Sequence, residues 1–222
     1  MGRTEKFLVN ADGTPVQLLV EPGMPAIGEA AVRRWVQRAV GAIVGDAGQF
    51  PVKNTYVVIC LKAGVGAGDG TTHATDPSVF NISIDRDVTQ AQFNDDWVLI
   101  HEMAHLFVPP QSRKYRWFEE GFAVYVEAMA RMQAGMRCKE DTWAAISRGL
   151  PHGQKLADEG GLDGTTSWGR IYWGGMAWML LPQEKMQAES ATGWIEVMQA
   201  WMANGWDIRS EVGFAEMLAL QQ

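Results

Sequence analysis

The sequence predicts a small α+β fold, in which a short twisted sheet with one backing helix is followed by a helical carboxy-terminal part. Strand-like apolar runs lie in the first part of the chain, one stretch among them has helical periodicity, and the later part is almost wholly helical in pattern. With 222 residues and an apolar content of 47%, the chain can bury a proper core. We expect a single domain over 1–222, with a sheet and helix subdomain at 1–108 and a helical subdomain at 109–222.

Four strands and a backing helix are predicted within residues 1–84. Asp12-Gly13 between two apolar runs predicts an opening β-hairpin, and apolar residues at helical spacing from Ala26 to Val44 predict a helix packed on the sheet. The apolar run 56–61 predicts a buried strand, and the alternation at 79–84 predicts a strand at the sheet edge. The glycine-rich stretch 63–70 lacks the spacing of a phosphate-binding loop, and we expect a mobile loop there.

The carboxy-terminal part should consist of helices near 140–148, 169–187, 192–203 and 210–220. The stretch 151–167, rich in glycine and acidic residues, is predicted to be a loop. Large rings at helical spacing are more often core than a sugar-binding platform, so we expect most tryptophans of this half to be buried.

One stretch, His101-Glu102-Met103-Ala104-His105, fits the pattern HExxH. Apolar residues at helical spacing before it and Pro109-Pro110 after it predict that it lies on a helix. Residues i and i+4 share one face of a helix, so both histidine rings can bind one Zn²⁺ ion at about 2.0–2.1 Å. Glu102 projects elsewhere and can accept a proton from a metal-activated water without being a ligand. The alternative, a coincidental pair of helical histidines, is rare in a chain with four histidines.

A catalytic zinc ion in tetrahedral coordination needs a third protein ligand and one open position. The stretch Trp117-Phe118-Glu119-Glu120-Gly121-Phe122-Ala123 begins a second amphipathic helix, and a carboxylate near its start can face the histidines across a short turn. Glu119 and Glu120 are about 100° apart around a helix, so both cannot point at one ion.

In these two stretches the sequence resembles the gluzincin metallopeptidases, whose pattern is HExxH followed by a helix with W-x-x-E-G-x-A. The aminopeptidase N and glycyl aminopeptidase types are the most similar. The resemblance implies a zincin-like fold, a Zn²⁺ cofactor and Glu120 as the third ligand, which leaves Glu119 as a solvated carboxylate at a helix start. It extends roughly from Tyr56 to Leu181, and the interval between His105 and Glu120 is shorter than in the aminopeptidase N type.

A later stretch, Tyr172-Trp173-Gly174-Gly175-Met176-Ala177, resembles the Y-x-x-G-A-like segment that follows the zinc helices in the same families. The resemblance implies that the Tyr172 hydroxyl donates a hydrogen bond to the oxyanion, an interaction commonly worth a few kcal/mol of barrier. The alternative is a tyrosine that only packs in the core. His152 is a more remote candidate for a second proton carrier.

Together the motifs predict zinc-dependent hydrolysis of peptide bonds, with peptides or proteins as substrates. The alternatives are a catalytically silent zincin that binds peptides or proteins, against which the intact Glu102 argues, and a strict aminopeptidase. Aminopeptidases of the resembling families hold the substrate amine with a glutamate in a Gly-Ala-Met-Glu-Asn type segment on the cleft strand. No glutamate lies within 62–83, and only Asp69, Asp76 and Glu119 remain as substitutes.

Composition excludes several other functions. The net charge of -7 without a basic stripe argues against nucleic acid, and no apolar run reaches the length of a membrane span. The start, Met1–Lys6, lacks an apolar signal segment, so we expect a cytoplasmic protein, or a periplasmic or secreted one if a signal peptide has been removed. Two cysteines cannot form a disulfide framework; Cys60 is predicted to be buried and Cys138 to lie near a helix end. Oligomeric state and cysteine pairing are left open.

Overall fold

The computed structural model describes residues 5–11, 13–108, 111–154 and 161–180. The chain divides into two compact units, Met1–Leu106 and Phe107–Gln222. The predicted α+β class is confirmed, because a sheet and several helices make up the described residues. The prediction that the whole chain is one domain stays a prediction.

The first unit is built on a sheet whose strand order is β1-β2-β3-β5-β4. Its strands are β1 (Glu5–Ala11), β2 (Thr14–Val20), β3 (Thr55–Leu61), β4 (Asp69–His73) and β5 (Ser78–Ile84). The predicted hairpin is confirmed, since β1 and β2 pair antiparallel around Gly13, whose φ of 79° suits a glycine. β2, β3 and β5 run parallel, and β4 returns antiparallel to β5.

Two predictions about this sheet are wrong. Asp69 and Gly70, the end of the stretch predicted to be a mobile loop, begin strand β4, which no pattern predicted. The strand predicted at the sheet edge, 79–84, is β5 and lies between β3 and β4. The physical reason is that no residue of β4 is fully buried, so its sequence carries no apolar alternation for a pattern to detect.

The predicted backing helix is α1 (Glu29–Ala47), which buries one apolar face and ends at Gly48 in the left-handed conformation. Arg33 ties it to the hairpin, because its guanidinium lies 4.6 Å from the Phe7 ring centre and donates a hydrogen bond to the Leu8 carbonyl at 2.6 Å. The predicted helix is confirmed, and it begins at Glu29, three residues later than expected.

The HExxH stretch was predicted to lie on a helix, and this holds for its first four residues but not for His105. The structure has α2 (Gln90–Asp95), α3 (Val98–Ala104) and a 3-10 turn (His105–Phe107). Asp96 separates the two helices: its carboxylate accepts from the backbone N–H groups of the first two residues of α3, at 3.0 and 3.3 Å, and from Trp35 Nε1 at 2.8 Å. A buried aspartate thus caps α3 and fixes it to α1. Pro109 and Pro110 lie outside the described residues.

The second unit contains α4 (Arg116–Gln133), α5 (Lys139–Gly149) and α6 (Gly175–Leu180), with a π-helical turn (Arg170–Gly174) leading into α6. α5 confirms the helix predicted at 140–148. The helix predicted at 169–187 is described up to residue 180, and those at 192–203 and 210–220 lie outside the described residues. None of the helices in the described ranges is both long enough and apolar enough to span a membrane.

Two glycines allow close packing between helices of the second unit, and the tryptophans of this unit differ in their burial. A Cβ atom on Gly121 would overlap the Gly175 backbone, so these two glycines allow α4 and the start of α6 to touch. Trp117 on α4 is buried. The later tryptophans were also predicted to be buried, and for those in the described ranges this is wrong: Trp168 is exposed and three others are only partly buried, namely Trp143, Trp173 and Trp178. Trp194, Trp201 and Trp206 lie outside the described residues.

Candidate active site

His101 and His105 lie one turn apart at the end of α3. His101 belongs to the helix and is buried, while His105 is the first residue of the 3-10 turn and is half-buried. Their ring centres are 4.9 Å apart with the ring planes nearly perpendicular. The exposed ring of Trp97 meets the His101 ring edge-on, at 5.4 Å between centres. The two imidazoles therefore stay close together although the second lies beyond the α-helix.

One ligating atom from each of His101, His105 and Glu120 lies within 4.8 Å of the other two. Two imidazoles and a carboxylate are the donor set of a catalytic zinc ion with an open fourth position. Donor atoms bound to one ion in tetrahedral coordination are about 3.4 Å apart, so small side-chain adjustments suffice for binding. These residues fit the metal that the motifs imply.

The two neighbouring glutamates of α4 have different surroundings. Glu119 is half-buried and accepts a hydrogen bond from the backbone N–H of Gln111 at 3.5 Å. Glu120 is buried, and Arg116, one turn earlier, approaches its Oε1 with Nε and Nη2 at 3.4 Å each. The Arg116 guanidinium also lies 4.7 Å from the centre of the exposed Trp168 ring. Glu119, predicted to be a solvated carboxylate, is thus half-buried and contacts the chain that precedes α4, and the choice of Glu120 over Glu119 as the ligand stays a prediction.

Tyr172 lies half-buried in the π-helical turn, and its ring centre is 5.5 Å from that of Trp168. Turns of this kind are rare and often occur at functional sites. The catalytic role of Tyr172 stays a prediction. His152 is exposed in a 3-10 turn, Leu150–Gly153.

The Glu102 side chain is buried against strand β4, a contact that the sequence patterns missed. The Thr72 hydroxyl lies 2.6 Å from Glu102 Oε2 and 2.8 Å from the Glu102 carbonyl oxygen. Gly70, two residues earlier in the strand, leaves room for the same side chain. Gly70 and Thr72 stand at alternate positions, which places them on the same face of a strand. The sequence could indicate this shared face only if 69–73 were already known to be a strand.

Both cysteines are free thiols. Cys60 is half-buried, where the sequence predicted a buried residue; burial, followed by the nearby Glu21 carboxylate, raises the pKa of its thiol. A raised pKa keeps Cys60 protonated at neutral pH, the opposite of a catalytic thiolate. Cys138 is exposed at the start of α5, where its sulfur accepts a hydrogen bond from the Asp141 N–H.

Comparison with solved structures finds several zinc metallopeptidases. An aminopeptidase N family protein from Idiomarina loihiensis has a TM-score of 0.61 at 10% identity, covering 90% of this chain and 41% of that one. An M1 zinc metallopeptidase from Deinococcus radiodurans has a TM-score of 0.54 at 15% identity, covering 88% and 44%. The chain shares their fold. The predicted zincin-like architecture is therefore confirmed.

A mutant of the Deinococcus radiodurans metallopeptidase with a bound Tyr-Ser-Ala substrate is similar as well, with a TM-score of 0.54 at 16% identity and coverage of 88% and 44%. The chain spans between 41% and 44% of the length of these structures. No protein-family model and no curated protein matches the sequence.

Proposed function

We propose that the chain is a zinc-dependent peptidase. The observation that supports this proposal best is that donor atoms of His101, His105 and Glu120 lie within 4.8 Å of one another, in a fold shared with zinc metallopeptidases. A zinc ion bound by these residues would lower the pKa of a water molecule and polarise the substrate carbonyl. Incubation of the purified protein with a peptide library, read by mass spectrometry, tests the proposal. Cleavage that stops on chelation and returns with zinc is expected; cleavage that chelation does not affect would refute it.

Glu102 is the proposed general base. Its carboxylate follows the first histidine directly in the chain and accepts the proton of the attacking water. The same carboxyl group then delivers that proton to the leaving amine, so one residue serves both halves of the reaction. Burial of Glu102 supports this role, because excluding bulk water keeps the proton within the site.

Tyr172 is the proposed oxyanion donor, and its replacement by phenylalanine should lower kcat by roughly 10- to 1000-fold with little change in KM. The physical reason is that a phenol bonds the oxygen more strongly once negative charge develops on it. Steady-state kinetics on one fluorogenic peptide measures the effect, and Tyr56→Phe on strand β3 is the matched control. An unchanged kcat in folded Tyr172→Phe would assign this tyrosine to packing alone and make His152 the next candidate.

We further propose that the enzyme is not a strict aminopeptidase. A strict aminopeptidase must desolvate the substrate ammonium group, which costs several kcal/mol unless a fixed carboxylate receives it. Residues 62–83 contain no glutamate, and the Asp69 carboxylate is paired with Lys62 Nζ at 2.7 Å. Strand β4 at the sheet edge instead offers its backbone to an extended peptide, which can then continue past the site in both directions.

Peptides with an acetylated amino terminus should therefore be cut internally, at rates at least comparable to those of the same peptides with a free amine. Mass spectrometry of paired acetylated and free peptides identifies both the rate and the cleaved bond. Stepwise loss of single amino-terminal residues, abolished by acetylation, would contradict this expectation. It would show that Glu119 or an aspartate of the first unit anchors the amine.

A further inference from the structure

We propose that Thr72 is a positioning residue for Glu102, holding the carboxylate of the base in the orientation that proton transfer requires. This inference rests on the proposed function, in which Glu102 is the general base. It concerns a side chain that none of the sequence motifs contains and that lies on the edge strand β4, about thirty positions before the HExxH stretch.

The contact between the two residues is short and polar. Thr72 Oγ1 lies 2.6 Å from Glu102 Oε2 and 2.8 Å from the carbonyl oxygen of the same residue. A hydroxyl donating to a carboxylate makes a charge-assisted hydrogen bond, which is stronger than one between neutral groups. Because a hydroxyl both donates and accepts, it can keep the contact when the carboxyl group carries a proton during turnover. The single proton of the hydroxyl goes to the carboxylate or to the carbonyl oxygen, or is shared between them, so Thr72 contacts both the side chain and the backbone of Glu102.

The fit of strand β4 against α3 makes this contact possible. Gly70 and Thr72 occupy alternate positions and so face the same side of the strand. A Cβ atom on Gly70 would lie 2.6 Å from Glu102 Cγ and 2.9 Å from Oε1, so any other residue there would displace the Glu102 side chain from this position. The glycine thus lets the strand approach, and the threonine hydroxyl bonds the carboxylate that the approach buries.

Loss of the hydroxyl should impair the chemical step rather than substrate binding. Glu102 is only 9% exposed, and a buried carboxylate that loses the hydrogen bond from Thr72 will shift towards its other donors or towards water. A displacement of about 1 Å in a catalytic group can cost on the order of 100-fold in rate. Thr72→Val, which keeps the shape of the side chain, should therefore lower kcat by about 10- to 100-fold with KM little changed.

Three variants on the same strand separate positioning from packing. Thr72→Val removes the hydroxyl, Thr72→Ser keeps it, and Thr71→Val makes the same chemical change on the exposed opposite face. For each, kcat, KM and bound zinc are measured on the full chain, and a crystal structure of zinc-free Thr72→Val reports the Glu102 conformation. We expect Thr72→Ser and Thr71→Val to stay within about threefold of the parent kcat and all variants to bind zinc. In the Thr72→Val crystal the Glu102 carboxylate should be displaced or occupy several conformers.

Parent kcat in Thr72→Val, equal loss in Thr72→Val and Thr72→Ser, or an unmoved carboxylate would each overturn the role of Thr72. These outcomes leave the peptidase function standing, because the parent protein still cleaves peptides in a zinc-dependent way. Absence of zinc-dependent cleavage by the parent protein would instead refute the proposed function and, with it, this inference.

Discussion

Replacing Glu102 by glutamine is expected to lower kcat by about 100- to 10,000-fold while the protein still binds zinc. Glutamine has nearly the same size and can still accept the hydrogen bond from Thr72, but it cannot take a proton from water. Steady-state kinetics and metal analysis on the same preparation measure both quantities. Glu29→Gln, the same change in an exposed residue of α1, serves as the control and should leave kcat unaltered.

Near-parental turnover in Glu102→Gln would show that another group accepts the proton. Loss of zinc together with turnover would be equally informative, because it would place Glu102 among the residues that hold the metal rather than in the role of base. Retained zinc with lost turnover distinguishes the two roles.

Replacing Glu120 by glutamine is expected to weaken zinc binding by about 100-fold or more, since removing even a residue that only supports a ligand costs 10- to 100-fold. The neutral amide is a poorer ligand than a carboxylate and cannot offset the charge of the ion. Glu119→Gln is the matched control, because it makes the same change one position earlier on α4, where the side chain contacts the connecting loop. Competition with a chromophoric chelator gives both dissociation constants.

Equal losses in the two variants, or the larger loss in Glu119→Gln, would reverse the choice of ligand. Glu120→Gln also removes the ion pair with Arg116, whose exposed guanidinium lies 3.4 Å from Glu120 Oε1. An exposed ion pair contributes about 1 kcal/mol or less, so its loss is small beside the loss of a metal ligand.

Sequence patterns predicted the parts of this fold that have a strong period or a compact motif. The apolar run of β3 and the helical spacing of α1 record burial directly, so both elements lie close to where they were expected. HExxH and the tryptophan-glutamate stretch predicted a set of ligands whose donor atoms lie near one another, although its function as a zinc site stays a proposal.

The parts that were missed depend on contacts between distant residues. Asp96 lies between α2 and α3 and also accepts a hydrogen bond from Trp35 of α1, and no residue near Asp96 in the sequence indicates that distant partner. Strand β4 is recognisable only through its pairing with β5 and its approach to α3, to which Gly70 and Thr72 contribute. A method that counts periods along the chain does not detect such pairings.

Titration of the metal-free protein with zinc, with bound zinc and peptide cleavage measured in the same samples, tests zinc-dependent catalysis at this site most directly. Cleavage should rise in proportion to bound zinc and level off at one ion per chain, and Glu120→Gln should need far more zinc to reach its own plateau. Full cleavage by the metal-free protein, or saturation of a high-affinity zinc site without any cleavage, would contradict the proposal that His101, His105 and Glu120 hold a catalytic zinc ion.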